Sequence, residues 1–328
     1  MNNNLTGTLP QELNLIYYLS HLNLVGNNIH GTIPSSIYYS DYLSIVQLSN
    51  NKLSGTIDSA IGHNMTALTQ LYLQNNNLNG TLPDSLFEKR TGMLGISLES
   101  NNFEGQIPSS IGNWKQIYLL NFNNNKFKGT LHDVFENFSI LTLFSMNRNK
   151  LTGVIPSSLW TRTKLQTMSL PGNELEGELS SKIGDFNSLT ILDLSDNQLN
   201  STIPTSIGNL EKIERIVLGS NNFVGEIPTT IGNLSTLQGI GLDYNNLGGD
   251  IPSSIGSLTN LIDLNLSYNQ LTGVVPDSFR NLKKLRKCQS IHHYFLSLYN
   301  DTFNIIFFNL MLYYYFYYDI FGPMNDYT

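Results

Sequence analysis

The chain has a single cysteine, Cys288, in 328 residues, which excludes an internal disulfide framework. Charge is scarce as well: Asp, Glu, Lys and Arg together make up 13% of the residues, about half of the ~25% usual in soluble proteins. Lys and Arg number 18 against 25 Asp and Glu, a net charge of -7, and they form no basic stripe, so nucleic acid is excluded as a partner. Catalytic groups stand in no recognisable arrangement. His21, His30, His63, His132, His292 and His293 fall at no metal-ligand spacing with Cys, Asp or Glu, and Cys288 has no orienting partner. There is no kinase-like set of motifs. Gly239-Ile240-Gly241 resembles the start of a nucleotide-binding loop, but the repeat pattern described next places it on a strand. The chain therefore reads as a non-enzyme without cofactor or metal.

What is abundant is asparagine, and it is periodic. Asn3, Asn27, Asn51, Asn76, Asn101, Asn125, Asn149, Asn173, Asn197, Asn221, Asn245 and Asn269 recur every 24 residues, with two steps of 25. A fixed period of this length is the mark of a solenoid. In the cleanest copy Leu264 and Leu266 alternate with Asp263, Asn265 and Ser267, the period of two of a short strand buried on one side. A parallel strand per repeat follows. The chain must then turn inside the protein, away from water, and an asparagine with two donors and two acceptor lone pairs can satisfy the turn from within. Stacking the copies predicts a buried ladder. Four residues beyond each ladder position stands a glycine, except at Ser201, as a close backbone approach or a positive φ requires. Proline follows in nine of twelve copies, replaced by Asp58, His132 and Ser180 in the others; it fixes φ in an extended segment. Apolar residues three apart, such as Ile207, Leu210 and Ile213, predict a helical or 3₁₀ turn on the return limb. The two 25-residue steps place an extra residue around Gly62-His63-Asn64 and Glu88-Lys89-Arg90 on that limb.

The resulting motif, L-x-L-x-x-N-x-L-x-G-x-I-P-x-x-I-x-x-L, resembles the plant-type leucine-rich repeat over roughly residues 2–287. That repeat occurs in the extracellular parts of plant receptor kinases and receptor-like proteins, and in polygalacturonase inhibitors. The resemblance implies an α/β, β-rich solenoid: a right-handed horseshoe of about twelve 24-residue repeats with a parallel concave sheet. It implies an extracellular or cell-surface protein, with a cytoplasmic location still open. It also implies a module that recognises a protein or peptide ligand, the ligand-binding part of a receptor-like protein. A secreted enzyme inhibitor of the polygalacturonase-inhibitor type is the alternative. An ice-binding role fits less well, because the row Asn23, Gln47, Tyr72, Ser97, Asn121, Ser145, Ser169 and Asp193 is too irregular to match a lattice.

Both ends depart from the pattern. Members of the resembled family outside the cell cap each end with a cysteine pair, whereas this sequence begins at Met1-Asn2-Asn3 with no apolar stretch of the signal-peptide type. The expectation is a solenoid over 1–287 without its N-terminal cap, leaving Leu5, Leu9 and Leu13 partly uncovered. A thirteenth repeat would put leucines at 288 and 290 and asparagine at 293, where Cys288, Ser290 and His293 stand. Residues 288–328 form an atypical aromatic tail, whose apolar run 303–318 is 16 residues long, short of the roughly 20 a membrane helix needs. Lys283, Lys284, Arg286 and Lys287 precede it and no Lys or Arg follows, the wrong polarity for a receptor anchor. Three readings of it stand: read-through sequence, a poor anchor, or an apolar flap. Asn-x-Ser/Thr acceptors number eight among 42 asparagines; chance alone predicts roughly seven, so they do not assign a compartment.

Residues between the strand leucines face away from the core. In the N-terminal half they are mainly Gln47, Ser49, Gln70, Gln74, Ser97, Asn121 and Asn123, interrupted by Tyr72, Glu99 and Tyr118. In the C-terminal half charge and aromatic character gather at Asp193, Asp196, Arg215, Asp243, Tyr244, Asp263 and Tyr268. Asp193, Arg215, Asp243, Tyr244, Asp263 and Tyr268 form the candidate ligand-binding patch, since Tyr and Arg dominate binding hot spots, with Asp193 and Arg215 as a candidate ion pair.

Overall fold

The computed structural model describes residues 3–88 and 92–289. Each repeat contributes one three-residue strand to a parallel sheet of twelve strands, from His21–Asn23 to Lys287–Gln289, in strict sequence order. The register advances by one repeat per strand: Leu22 stands beside Val46, and Leu264 beside Cys288. Equivalent residues thus stack in rows. Apolar rows point inward, and the core is one continuous stack in which Leu120, Phe144, Met168, Leu192 and Ile216 are fully buried. The sheet takes in Lys287–Gln289, two residues past the repeat boundary read at 287.

The ladder forms. From Asn51 to Asn269, each asparagine side chain makes the same four bonds to the backbone, seen at Asn149. Its Nδ2 donates to the carbonyls of Met146 (3.2 Å), Asn147 (3.2 Å) and, one turn back, Phe122 (3.0 Å). Its Oδ1 accepts from the Phe127 N–H at 3.0 Å. The turn that needs this support has a second feature absent from the sequence reading. The residue before each ladder asparagine is left-handed throughout, from Gly26 and Asn50 to Tyr244 (φ 50) and Tyr268 (φ 54). Gly, Asn, Asp and Ser fill most of this row, and these residues tolerate such a backbone best.

Beyond the ladder the chain forms a second strand per repeat, where the sequence pattern predicts only an extended segment. These strands pair into a nine-stranded sheet from Thr6–Thr8 to Gln198–Asn200 and a three-stranded sheet starting at Val224–Glu226. The glycine row falls within or at the end of these strands, with positive φ. A Cβ at Gly177 would lie 2.8 Å from Val154 Cγ1, closer than van der Waals packing permits. Ser201 carries that Cβ, and pairing breaks there, leaving one bridge between Thr202 and Val224.

The return limbs are 3₁₀ turns, typified by Thr205–Asn209 after Pro204 (φ -69, ψ 142). Among the described residues only the two 25-residue steps hold α-helical turns, Ala60–Asn64 and Ser85–Glu88. The extra residue allows the wider turn, because 3₁₀ and α differ by about 0.6 residue per turn. At the N-terminal end Leu5 is 49% exposed as expected, and Leu13 is half-buried, but Leu9 is buried. The exposed apolar surface there is instead built by Leu15, Ile16 and the Tyr17–Tyr18–Tyr42 ring cluster. The aromatic run 303–318, His292, His293, Asn300 and the Lys89-Arg90 step lie outside the described residues. No helix among the described residues is long and apolar enough to cross a membrane.

Candidate functional site on the open face of the main sheet

The face of the twelve-stranded sheet away from the core carries three rows of side chains. In the N-terminal half several of these side chains bond one another, while Ser49 Oγ and Gln74 Oε1 are buried without a partner. Asn23 Nδ2 donates to Gln47 Oε1 at 2.7 Å, Asn121 Nδ2 to Glu99 Oε2 at 2.8 Å, and Ser145 Oγ to Asn123 Oδ1 at 2.9 Å. Gly95, between the strands of Tyr72 and Tyr118, leaves room for the two hydroxyls to meet at 3.3 Å. Burial and this shared bond push the Tyr72 phenol above its ordinary range.

The C-terminal half differs. Asp193 ends the strand Ile191–Asp193, and its Oδ1 accepts from the Ser195 N–H (3.1 Å) and Oγ (2.7 Å). Arg215 begins the next strand opposite Ile191, so Asp193 faces Val217 instead. The expected Asp193–Arg215 pair does not form, because the two residues are out of register by a full side-chain repeat along the strand. The Arg215 side chain lies against Gly239, which separates it from Asp263 on the following strand. Asp263 in turn stands beside Lys287.

Three of the six candidates do come together. Tyr244 and Tyr268 stack with ring centroids 4.1 Å apart and planes 11° from parallel, each 52% exposed. The hydrogen bond between the two hydroxyl-bearing side chains is the main cause of the raised Tyr244 pKa. Asp243, half-buried beside them, is also shifted up, chiefly by desolvation and against a bond from its own backbone N–H. Its carboxylate occupies space freed by glycine: a Cβ on Gly219 would lie 2.6 Å from Asp243 Oδ1, and one on Gly241 3.5 Å. Gly239 and Gly241 were set aside as a nucleotide loop and lie on a strand as anticipated. Sequence reasoning gave them no part in the candidate site: lacking side chains, they leave room between the Arg215–Val217 and Asp263–Asn265 strands that Arg215 covers at Gly239 and that Val217 and Asp243 border at half-buried Gly241. The signal was present in the sequence as glycine at two outward strand positions. Among the described residues no group of His, Cys, Asp and Glu could hold a metal ion.

A parallel sheet with one strand per repeat, an internal asparagine ladder and 3₁₀ return limbs defines a leucine-rich-repeat solenoid. The family profile described as Leucine rich repeat matches residues 235–287, and a second of that description matches 18–39, 67–88 and 188–210. The chain is a plant-type leucine-rich-repeat protein that resembles plant receptor ectodomains. It is 32% identical to the ectodomain of the Arabidopsis receptor kinase HAESA, solved with an IDA peptide hormone ligand, over 86% of this chain and 47% of that one, with a TM-score of 0.80. It is 28% identical to the plant peptide hormone receptor RGFR1 in complex with RGF2, over 88% of this chain and 50% of that one, TM-score 0.81. A plant ice-binding protein shares the fold at 22% identity and TM-score 0.54, over 88% of this chain and 81% of that one. The chain thus spans about half the length of these two receptors. No curated protein sequence matches it.

Proposed function

We propose that this chain is a non-catalytic peptide-recognition module, the ligand-binding part of an extracellular or cell-surface receptor-like protein. Its C-terminal concave patch is the contact surface. The observation that carries this reading is the exposed Tyr244–Tyr268 stack beside half-buried Asp243, with Arg215 lying over Gly239 on the neighbouring strand. Rigid aromatic anchors next to charged side chains are what a short ligand can use. Related ectodomains at 28% and 32% identity have been solved with peptide hormones bound, which supports the same ligand class here.

The test is capture of peptides from the extracellular fluid of the source organism on the immobilised chain, read by mass spectrometry. The Arg215→Ala/Tyr244→Ala/Tyr268→Ala variant is the control. Peptides held by the wild type and lost by the variant support the reading; identical sets on both remove this patch from it. Inhibition of a polygalacturonase by the chain, with no peptide captured, would select the inhibitor class instead.

A further inference from the structure

The row before the ladder is chained sideways by the backbone. Asn197 N–H donates to the Ser220 carbonyl at 3.0 Å, and Asn221 N–H to the Tyr244 carbonyl at 3.1 Å. Asp196, Ser220, Tyr244 and Tyr268 therefore stand side by side, one strand spacing of about 4.8 Å apart. All four are left-handed, with φ of 53, 54, 50 and 54. A bulky ring is poorly suited to that backbone, and neither tyrosine is buried in return.

The ring separation of 4.1 Å with nearly parallel planes sets the ring normals along the row. Tyr268 covers one face of Tyr244. The other face looks over Ser220, whose small exposed side chain leaves a gap before exposed Asp196. Asp243 lies at the base of this gap, over Gly219. Burial raises its pKa, and no basic group is among the causes that act on it.

We propose that the gap over Ser220, bounded by the outer face of Tyr244, by Asp196 and by Asp243, is a slot for a cationic side chain of a peptide ligand, arginine best. This deepens the peptide-recognition reading and rests on it. A guanidinium stacks flat on a tyrosine face while its N–H groups reach carboxylates on either side; a lysine ammonium gains only the point-charge part. A neutral or acidic side chain would leave half-buried Asp243 with no opposite charge to offset its desolvation.

The full chain is titrated with blocked Gly-Arg-Gly and with the same peptide carrying citrulline, which keeps the shape of arginine and removes its charge. Binding is followed by NMR shifts at low and high salt. The arginine peptide is expected to bind roughly tenfold tighter than the citrulline peptide, with the advantage shrinking at high salt. Asp243→Asn and Tyr244→Asn should each bring the arginine peptide to within about twofold of citrulline. Neither should lower the melting temperature, because asparagine already fills this row at Asn50, Asn75 and Asn124 and Asp243→Asn removes a desolvated charge. Equal binding of the two peptides, arginine binding indifferent to both variants, or no arginine binding would overturn the slot. Peptide capture in the preceding experiment is scored without regard to charge, so failure of the slot and failure of peptide recognition are separate results.

Discussion

The backbone N–H of Phe127 donates to Asn149 Oδ1 at 3.0 Å, a bond that ties one repeat to the next across 22 residues. The asparagine also donates to three carbonyls, two of its own turn and one of the turn before. Asn149→Ala would strand these buried groups, and is expected to cost on the order of 1–3 kcal/mol. Half-buried Asn147, two residues earlier, receives only a long 3.4 Å bond from Ser145 Oγ within its own turn, but its backbone N–H is held by Asn123 Oδ1. Since that backbone bond survives truncation, Asn147→Ala should cost under about 0.5 kcal/mol. Chemical denaturation of the two variants checks this, and indistinguishable midpoints would contradict a structural ladder.

Two glycines of the second strand row separate backbone strain from steric clash. Gly153 (φ 73) has Thr130 Cγ2 at 2.8 Å from its would-be Cβ, whereas the nearest atom to that of Gly129 (φ 78) is Gln106 Cδ at 3.4 Å. Both alanine variants suffer the left-handed penalty of roughly 1–2 kcal/mol. Gly153→Ala should be the less stable of the two, because Thr130 is β-branched and cannot swing aside as Gln106 can. Melting the pair under one set of conditions gives the comparison.

Alkaline pH should loosen the last strand. Burial pushes the Cys288 thiol from 9.0 up to about 12. The folded state therefore holds this proton more tightly than the unfolded chain does. The resulting stability is fully present below pH 9 and is lost as pH rises toward 12. Tyr38, raised by burial to about 12, acts in the same direction near the other end. Cys288→Ala should lose less stability than wild type between pH 9 and pH 11. Parallel slopes for the two proteins would show that Cys288 does not contribute.

A chain truncated after Gln289 should keep its far-UV spectrum and be at least as soluble as the full chain. Lys287–Gln289 completes the twelfth strand, and the apolar run 303–318 follows no repeat pattern in the sequence. Loss of the cooperative melt on truncation would make the tail part of the fold.

The repeat, the buried ladder, the strand alternation and the limb turns were legible in the sequence because each depends on local chemistry copied twelve times. Asn149 makes the same bonds as Asn173 for the same reason, and the period alone fixes which residue lies beside which. The composition of the candidate patch was visible as well, in Asp243, Tyr244 and Tyr268. What sequence could not supply was how neighbours in a row meet. Asp193 and Arg215 are both outward-facing residues on adjacent strands, yet two residues of offset along the strand leave one bound to Ser195 and the other against Gly239. The left-handed turn places Tyr244 and Tyr268 as a stack, and glycines 219, 239 and 241 matter for the side chains they omit. Those outcomes are set by register and by the φ of single residues between repeats. Local composition determines which residues stand on each row, and only the lateral packing of one coil on the next decides which of them touch.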